Sequence, residues 1–233
     1  MSPQGAEILH HLQEVSAQRK LRAGDDALAL RVQRVKLFQQ ARFEQTYADM
    51  LATPRYAAAA RFFLTDLYGP GDFTRRDDEF ARVVSPLVRL FPQEIVGTVL
   101  ALAQLHALSE SLDSAMAQAI DERPLDGTLY AGAWRAVGRP VDRERQVALM
   151  LNIGSALDRY TRNPLLRHSL RLMRGPSHAA GLGALQRFLE SGFETFRRMA
   201  GAAHFLDAVA KRERDLSTQL FAGGSAAGGI CVA

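Results

Sequence analysis

Pro92–Asp113 reads PQEIVGTVLALAQLHALSESLD, a long run of apolar residues opened by a proline. Proline suits the start of a helix, because its missing N–H is one the first turn leaves unbonded anyway. The pattern carries one long helix from Pro92 to Ile120. Apolar residues lie nearly all round it, which predicts a helix packed on several sides at the centre of an all-α protein. One ridge departs from that pattern. His106, Glu110 and Asp113 are spaced i, i+4 and i+7 and so share a face, which continues N-terminally as Val99 and Leu102. Leu105, Leu112 and Met116 flank the ridge on one side; Val96, Ala103 and Ala107 flank it on the other.

Just upstream, Arg61–Phe80 reads RFFLTDLYGPGDFTRRDDEF. Gly69-Pro70-Gly71 stops a helix, and Phe62, Phe63 and Leu67 fall at core spacing before it. Thr74, with Asp77 three residues on, predicts an N-cap and its acidic partner for a helix over 75–91, with a bend at Pro86. Asp66, Tyr68, Asp72, Arg76 and Asp77 crowd the turn, either as a pocket rim or as ion pairs and caps that fasten it.

The remaining chain reads as further helices. A first covers 5–22, where Ile8, Leu9, Leu12 and Val15 make a narrow stripe and predict marginal packing. Gly24-Asp25 is a stop followed by an N-cap, and one helix is expected from Asp26 to Leu51. Pro54 opens another to Tyr68, with four consecutive alanines, Ala57 to Ala60, that allow close helix approach. Helices follow over 128–137, 141–161, 164–174, 176–199 and from Gly201 to Phe221. That gives about ten helices in a single all-helical domain over 1–222, with no sheet and no internal repeat. GGSAAGGICVA, 223–233, is expected to be a flexible, disordered tail.

Composition narrows the function classes. Hydrophobic residues are 47% and charged residues 23% of 233, ordinary values for a folded domain and against disorder. No secretory signal is visible at the start. The apolar run from Ile95 to Leu108 falls short of the ~20 residues of a membrane span. A soluble, cytoplasmic protein is therefore expected. The single Cys231 excludes an intramolecular disulfide and a Cys-based metal cluster. Lys+Arg minus Asp+Glu is 13 − 14 = −1 over 1–120, 7 − 6 = +1 over 121–162 and 9 − 5 = +4 over 163–233. The basic last third could meet an acidic partner, yet no groove-reading motif or compact basic cluster points to nucleic acid.

Several chemistries fail on pattern. A di-iron bundle needs two Glu-x-x-His pairs, and only Glu7–His10 supplies one. Neither the Gly69–Gly71 turn nor Gly181-Leu182-Gly183 follows a strand, so neither is a phosphate loop. Ser109 and Ser111 near His106 lack a nucleophile elbow. A haem needs only one axial His, and His106, His168, His178 and His204 stay open for it.

Three stretches together carry a resemblance: RFFLTDLYGPGDFTRRD (61–77), LHALSESLD (105–113) and AGLGALQRFLESGFETFRRM (180–199). Over most of its length the chain resembles a family of uncharacterised bacterial helical proteins, a domain of unknown function. That resemblance implies one continuous domain and brings no activity, cofactor or catalytic residue.

The residues then lead to a non-catalytic binding protein. Its ligand is an apolar small molecule, a cofactor or a partner helix, held between helices near His106, Glu110, Asp113, Asp66 and Tyr68. The alternative is a metal- or haem-dependent redox protein using the His106/Glu110/Asp113 stripe. The third is a scaffold that meets an acidic partner through the basic segment from Arg162 to Arg214.

Overall fold

A computed structural model describes residues 2–67, 69, 71, 73–226 and 230–232, with Leu67 described by its backbone alone. The protein is all-α. Among the described residues the helices are α1 (Pro3–Ala23), α2 (Asp26–Thr46), α3 (Ala48–Ala52), α4 (Pro54–Phe62), α5 (Thr74–Leu90) and α6 (Gln93–Ala119). They continue as α7 (Gly127–Val137), α8 (Pro140–Thr161), α9 (Pro164–Leu172), α10 (Arg174–Ala179), α11 (Gly183–Met199) and α12 (Ala203–Phe221).

Helix α6 sits where its composition places it. Its Val96 and Ala103 join a cluster with Ile8 and Leu12 of α1 and Phe80 and Val84 of α5. Its Ala101 and Leu105 enter a second cluster with Phe63, Ile153, Phe196 and Phe205. Met116 and Ala117 complete a third with Val35, Phe38, Tyr130 and Leu220. Three apolar clusters thus share one helix, and α1, α2 and α8 are its main neighbours. By length and composition alone α6 would also suffice to cross a membrane. Its 27 residues include Glu110 and Asp113, both buried beside cations from other helices.

Boundaries follow local chemistry where caps exist. Asp25 Oδ1 accepts the Leu28 N–H at 2.9 Å, which starts α2 as expected. The long helix expected to Leu51 instead breaks at Tyr47, whose φ −115° and ψ 23° leave helical space. Tyr47 is fully buried, and its hydroxyl donates to Glu213 at 2.8 Å, so tertiary packing overrides the local pattern there. Helix α4 ends in a π-helical turn, Phe63–Leu67. The expected capping pair at α5 is also replaced. Phe73 occupies the N-cap position and Asp77 turns inward. Two residues on, the buried Glu79 accepts the Leu185 N–H at 2.8 Å and so caps the start of α11.

Two expectations need amendment. Helix α1 is not marginal: Ile8 and Val15 are buried, Ile8 in a cluster with Val96 and Ala103 of α6, and its C-terminal half carries Arg19 and Arg22 into the interior. The expected disordered tail is partly tied down. Cys231–Val232 pairs antiparallel with Leu125–Asp126, and the Ala226 N–H reaches the Gly127 carbonyl at 3.3 Å. This two-residue pairing is the one sheet among the described residues, where none was expected.

Candidate functional site

The ridge on α6 is a ladder of buried charge pairs. His106 Nε2 donates to Asp77 Oδ2 at 2.8 Å, and Arg19 Nη2 donates to the same oxygen at 2.6 Å. One turn on, Glu110 accepts from Arg22 Nη1 and, at 2.7 Å, from Lys36 Nζ. Arg22 also donates to the Glu110 carbonyl at 2.7 Å and to Ser114 Oγ at 2.8 Å. Asp113 accepts from Gln39 Nε2 at 3.1 Å, with Lys36 Nζ 3.9 Å away. The ladder therefore fastens α1, α2 and α5 to α6, and Glu110 is 4% exposed at its middle.

Burial pushes the Asp77 carboxyl up, but the hydrogen bond from His106 and the guanidiniums of Arg76 and Arg19 outweigh it and hold it at about 2. Glu110 follows the same logic. Burial raises it, Lys36 and Arg22 overcome that, and it too lies at about 2. Asp113 goes the other way, because burial there exceeds the attraction of Lys36 and Glu110 adds a repulsion.

Beside His106 the ladder borders a cavity of about 60 Å³. Its walls are chiefly apolar, with Leu102 and Leu105 from α6, Phe80 from α5, and Leu185, Phe188 and Leu189 from α11. Asp77, His106 and Arg76 form the polar end. Arg76 lies 4.7 Å above the Phe188 ring and 4.3 Å from Phe73, so it screens the apolar wall from solvent. Leu189 is 43% exposed and marks where the cavity meets the surface.

His106, Glu110 and Asp113 thus lie on one ridge as their spacing requires, and each has its own partner. Asp66 stands apart. Its carboxylate accepts from Thr65 Oγ1 at 2.7 Å, while its carbonyl takes Arg76 Nη1 at 2.8 Å, so it holds the side chain that roofs the cavity. Tyr68 and Asp72 lie outside the described residues. Among the described residues no group of three or more His, Cys, Asp and Glu side chains is arranged to hold a metal ion. The oxygens of the ridge face guanidinium and ammonium groups, and His106 Nε2 is engaged by Asp77.

Sequence reasoning passed over Arg19, Arg22, Lys36 and Gln39. A signal was there: 8, 12, 15, 19 and 22 fall on one face of α1, so the apolar stripe runs straight into two arginines. Val32, Val35 and Gln39 do the same on α2, with Lys36 beside them.

An all-α body organised on one charge-laced central helix is the class these features define. The chain belongs to the family described as Domain of unknown function (DUF8198), whose family model matches residues 18–227. No curated protein and no solved structure matches the chain.

Proposed function

We propose that the protein is a non-catalytic binding protein that takes an apolar group between α5, α6 and α11, beside His106. The observation that carries this reading is the cavity itself, an apolar-walled space with a polar end that opens at the surface by Leu189. Well-packed interiors seldom leave such voids, because unfilled space forfeits dispersion contacts. A cavity of about 150 Å³ holds a benzene ring, so 60 Å³ holds about two or three non-hydrogen atoms. The group bound is accordingly the end of a small molecule. The ligand's remainder would leave past Leu189 and Arg76.

A binding role also fits the ladder, since the polar groups nearest the cavity are already bonded and fixed in place. Native mass spectrometry of protein purified from its own host tests the reading. The expected result is a co-purifying small molecule that is lost in Ala103→Leu, which extends a side chain into the cavity from α6. Wild-type protein that carries no such species, and whose melting temperature does not respond to short-chain alcohols, would overturn it.

A further inference from the structure

Further along the same face of α6, between α2, α7, α8 and α12, lies a second cavity of about 80 Å³. Arg143 of α8 forms part of its wall, is 4% exposed, and stacks on Trp134 with its guanidinium carbon 3.8 Å from the ring centroid. Its Nε and Nη2 have no hydrogen-bond partner among the described residues. The carboxylates on the cavity wall already have cations of their own. Glu213 accepts from Arg42 Nη1 at 2.6 Å and from the Tyr47 hydroxyl at 2.8 Å, and Asp113 sits 3.9 Å from Lys36. Arg143 is therefore a buried positive charge without a counter-ion in contact.

Such a group is expensive to leave unpaired. Burial is the largest influence on Arg143 and pulls its pKa below the usual arginine value. The two unpartnered nitrogens, Nε and Nη2, are the edge of the guanidinium that offers two parallel N–H groups, the geometry that matches a planar carboxylate. Trp134 Nε1 and Arg42 Nε are also buried donors without partners among the described residues, and both residues line the same cavity.

We infer that this cavity is a binding site for a small monocarboxylate, held bidentate by Arg143 Nε and Nη2 against the Trp134 ring. Since a cavity of about 150 Å³ holds a benzene ring, 80 Å³ admits about three non-hydrogen atoms, which suits the carboxylate head of a small acid such as acetate. A phosphate or sulfate fits less well, because its tetrahedral oxygens would bring extra charge towards Asp113 and Glu213 on the same wall. The inference does not depend on the His106 cavity, which is walled by α5 and α11 and takes an apolar group.

Trp134 is the one tryptophan in the chain and lies against Arg143, so its fluorescence reports on the site directly. The experiment titrates the full-length protein with sodium acetate at constant ionic strength, with chloride and phosphate as parallel arms. A saturable change with acetate, absent with chloride and at least tenfold weaker with phosphate, is expected. Arg143→Lys, which keeps the charge and loses the paired N–H edge, should weaken the acetate response at least tenfold. No saturable acetate response, an equal response to phosphate, or an unchanged affinity in a folded Arg143→Lys would each overturn the inference. Should Arg143→Lys fail to fold, the three wild-type arms decide on their own, read alongside an acetate-dependent rise in melting temperature.

Discussion

Removing the Glu110 carboxylate would leave Arg22 and Lys36 facing each other with side-chain exposures of 10% and 14%. Breaking one partner out of a buried pair costs about 3–5 kcal/mol, because the charges left behind have no solvent. Glu110→Ala should therefore destabilise the protein by at least ~3 kcal/mol in urea unfolding. A loss within the ±0.5 kcal/mol usual for surface changes would mean that the ladder does not fasten the helices. The ladder also sets a pH dependence. Asp77 and Glu110 lie at about 2 in the folded protein, below the ~3.9 and ~4.3 of free side chains. Their stabilisation is fully present above about pH 5 and is lost as pH falls through the folded values. Urea midpoints measured at pH 7 and pH 3 should fall accordingly, and Glu110→Gln should flatten the slope. Asp113 has the opposite sign, since its folded pKa is raised and its ionisation opposes folding as pH rises. Asp113→Asn should thus unfold at no lower urea concentration than wild type at pH 7. The ridge of His106, Glu110 and Asp113 was legible in the sequence because helical spacing alone creates it. Its partners were not, because Arg22 and Glu110 are 88 positions apart and only packing brings them together.

At the scale of elements, the reading succeeded where a local stop or cap acts alone. Asp25 and the prolines at the starts of α4, α8 and α9 begin helices as their chemistry requires. It failed where packing decides, as at the buried Tyr47, at the π-helical turn after α4 and at the tail. The tail contact depends on Gly127, where a Cβ would stand 2.0 Å from the Ala226 carbonyl oxygen. Gly127→Ala should release Ala226 and the strand pairing of Cys231 and Val232, seen as faster amide exchange at those two residues with α1 to α6 unaffected. Unchanged exchange would show that the tail does not rest on this contact. At the end of α11, Ala200 has φ 50° and ψ 48°, a left-handed conformation that disfavours a Cβ. Arg55 holds this corner by donating to the Met199 carbonyl at 2.7 Å and to that of Gly201 at 3.2 Å. Ala200→Gly should raise stability by up to about 1 kcal/mol, read as a higher melting temperature.

Over the whole molecule, the basic surplus of the last third is met in part by acids from earlier in the chain, Asp49 and Glu144, and most of its other arginines named here pair within the segment. Arg162 pairs with Asp158, Arg174 with Glu190, Arg197 and Arg198 with Glu194, Arg212 with Asp49 and Arg214 with Glu144. These contacts link α12 to α3 and α8 and leave less free charge for an acidic partner than the sequence count suggests. What the molecule does leave open is space, in two cavities that follow one another along one face of α6. Ser109 lines both cavities, and its hydroxyl accepts from Gln146 at 2.8 Å. A crystal of the protein under xenon pressure probes the His106 cavity itself, because xenon enters dry apolar cavities and avoids polar ones. The account predicts xenon between Phe80, Leu105 and Phe188, beside His106. Ordered water bridging His106 and Asp77 in that space, or a cavity closed by Leu185 and Leu189, would contradict it.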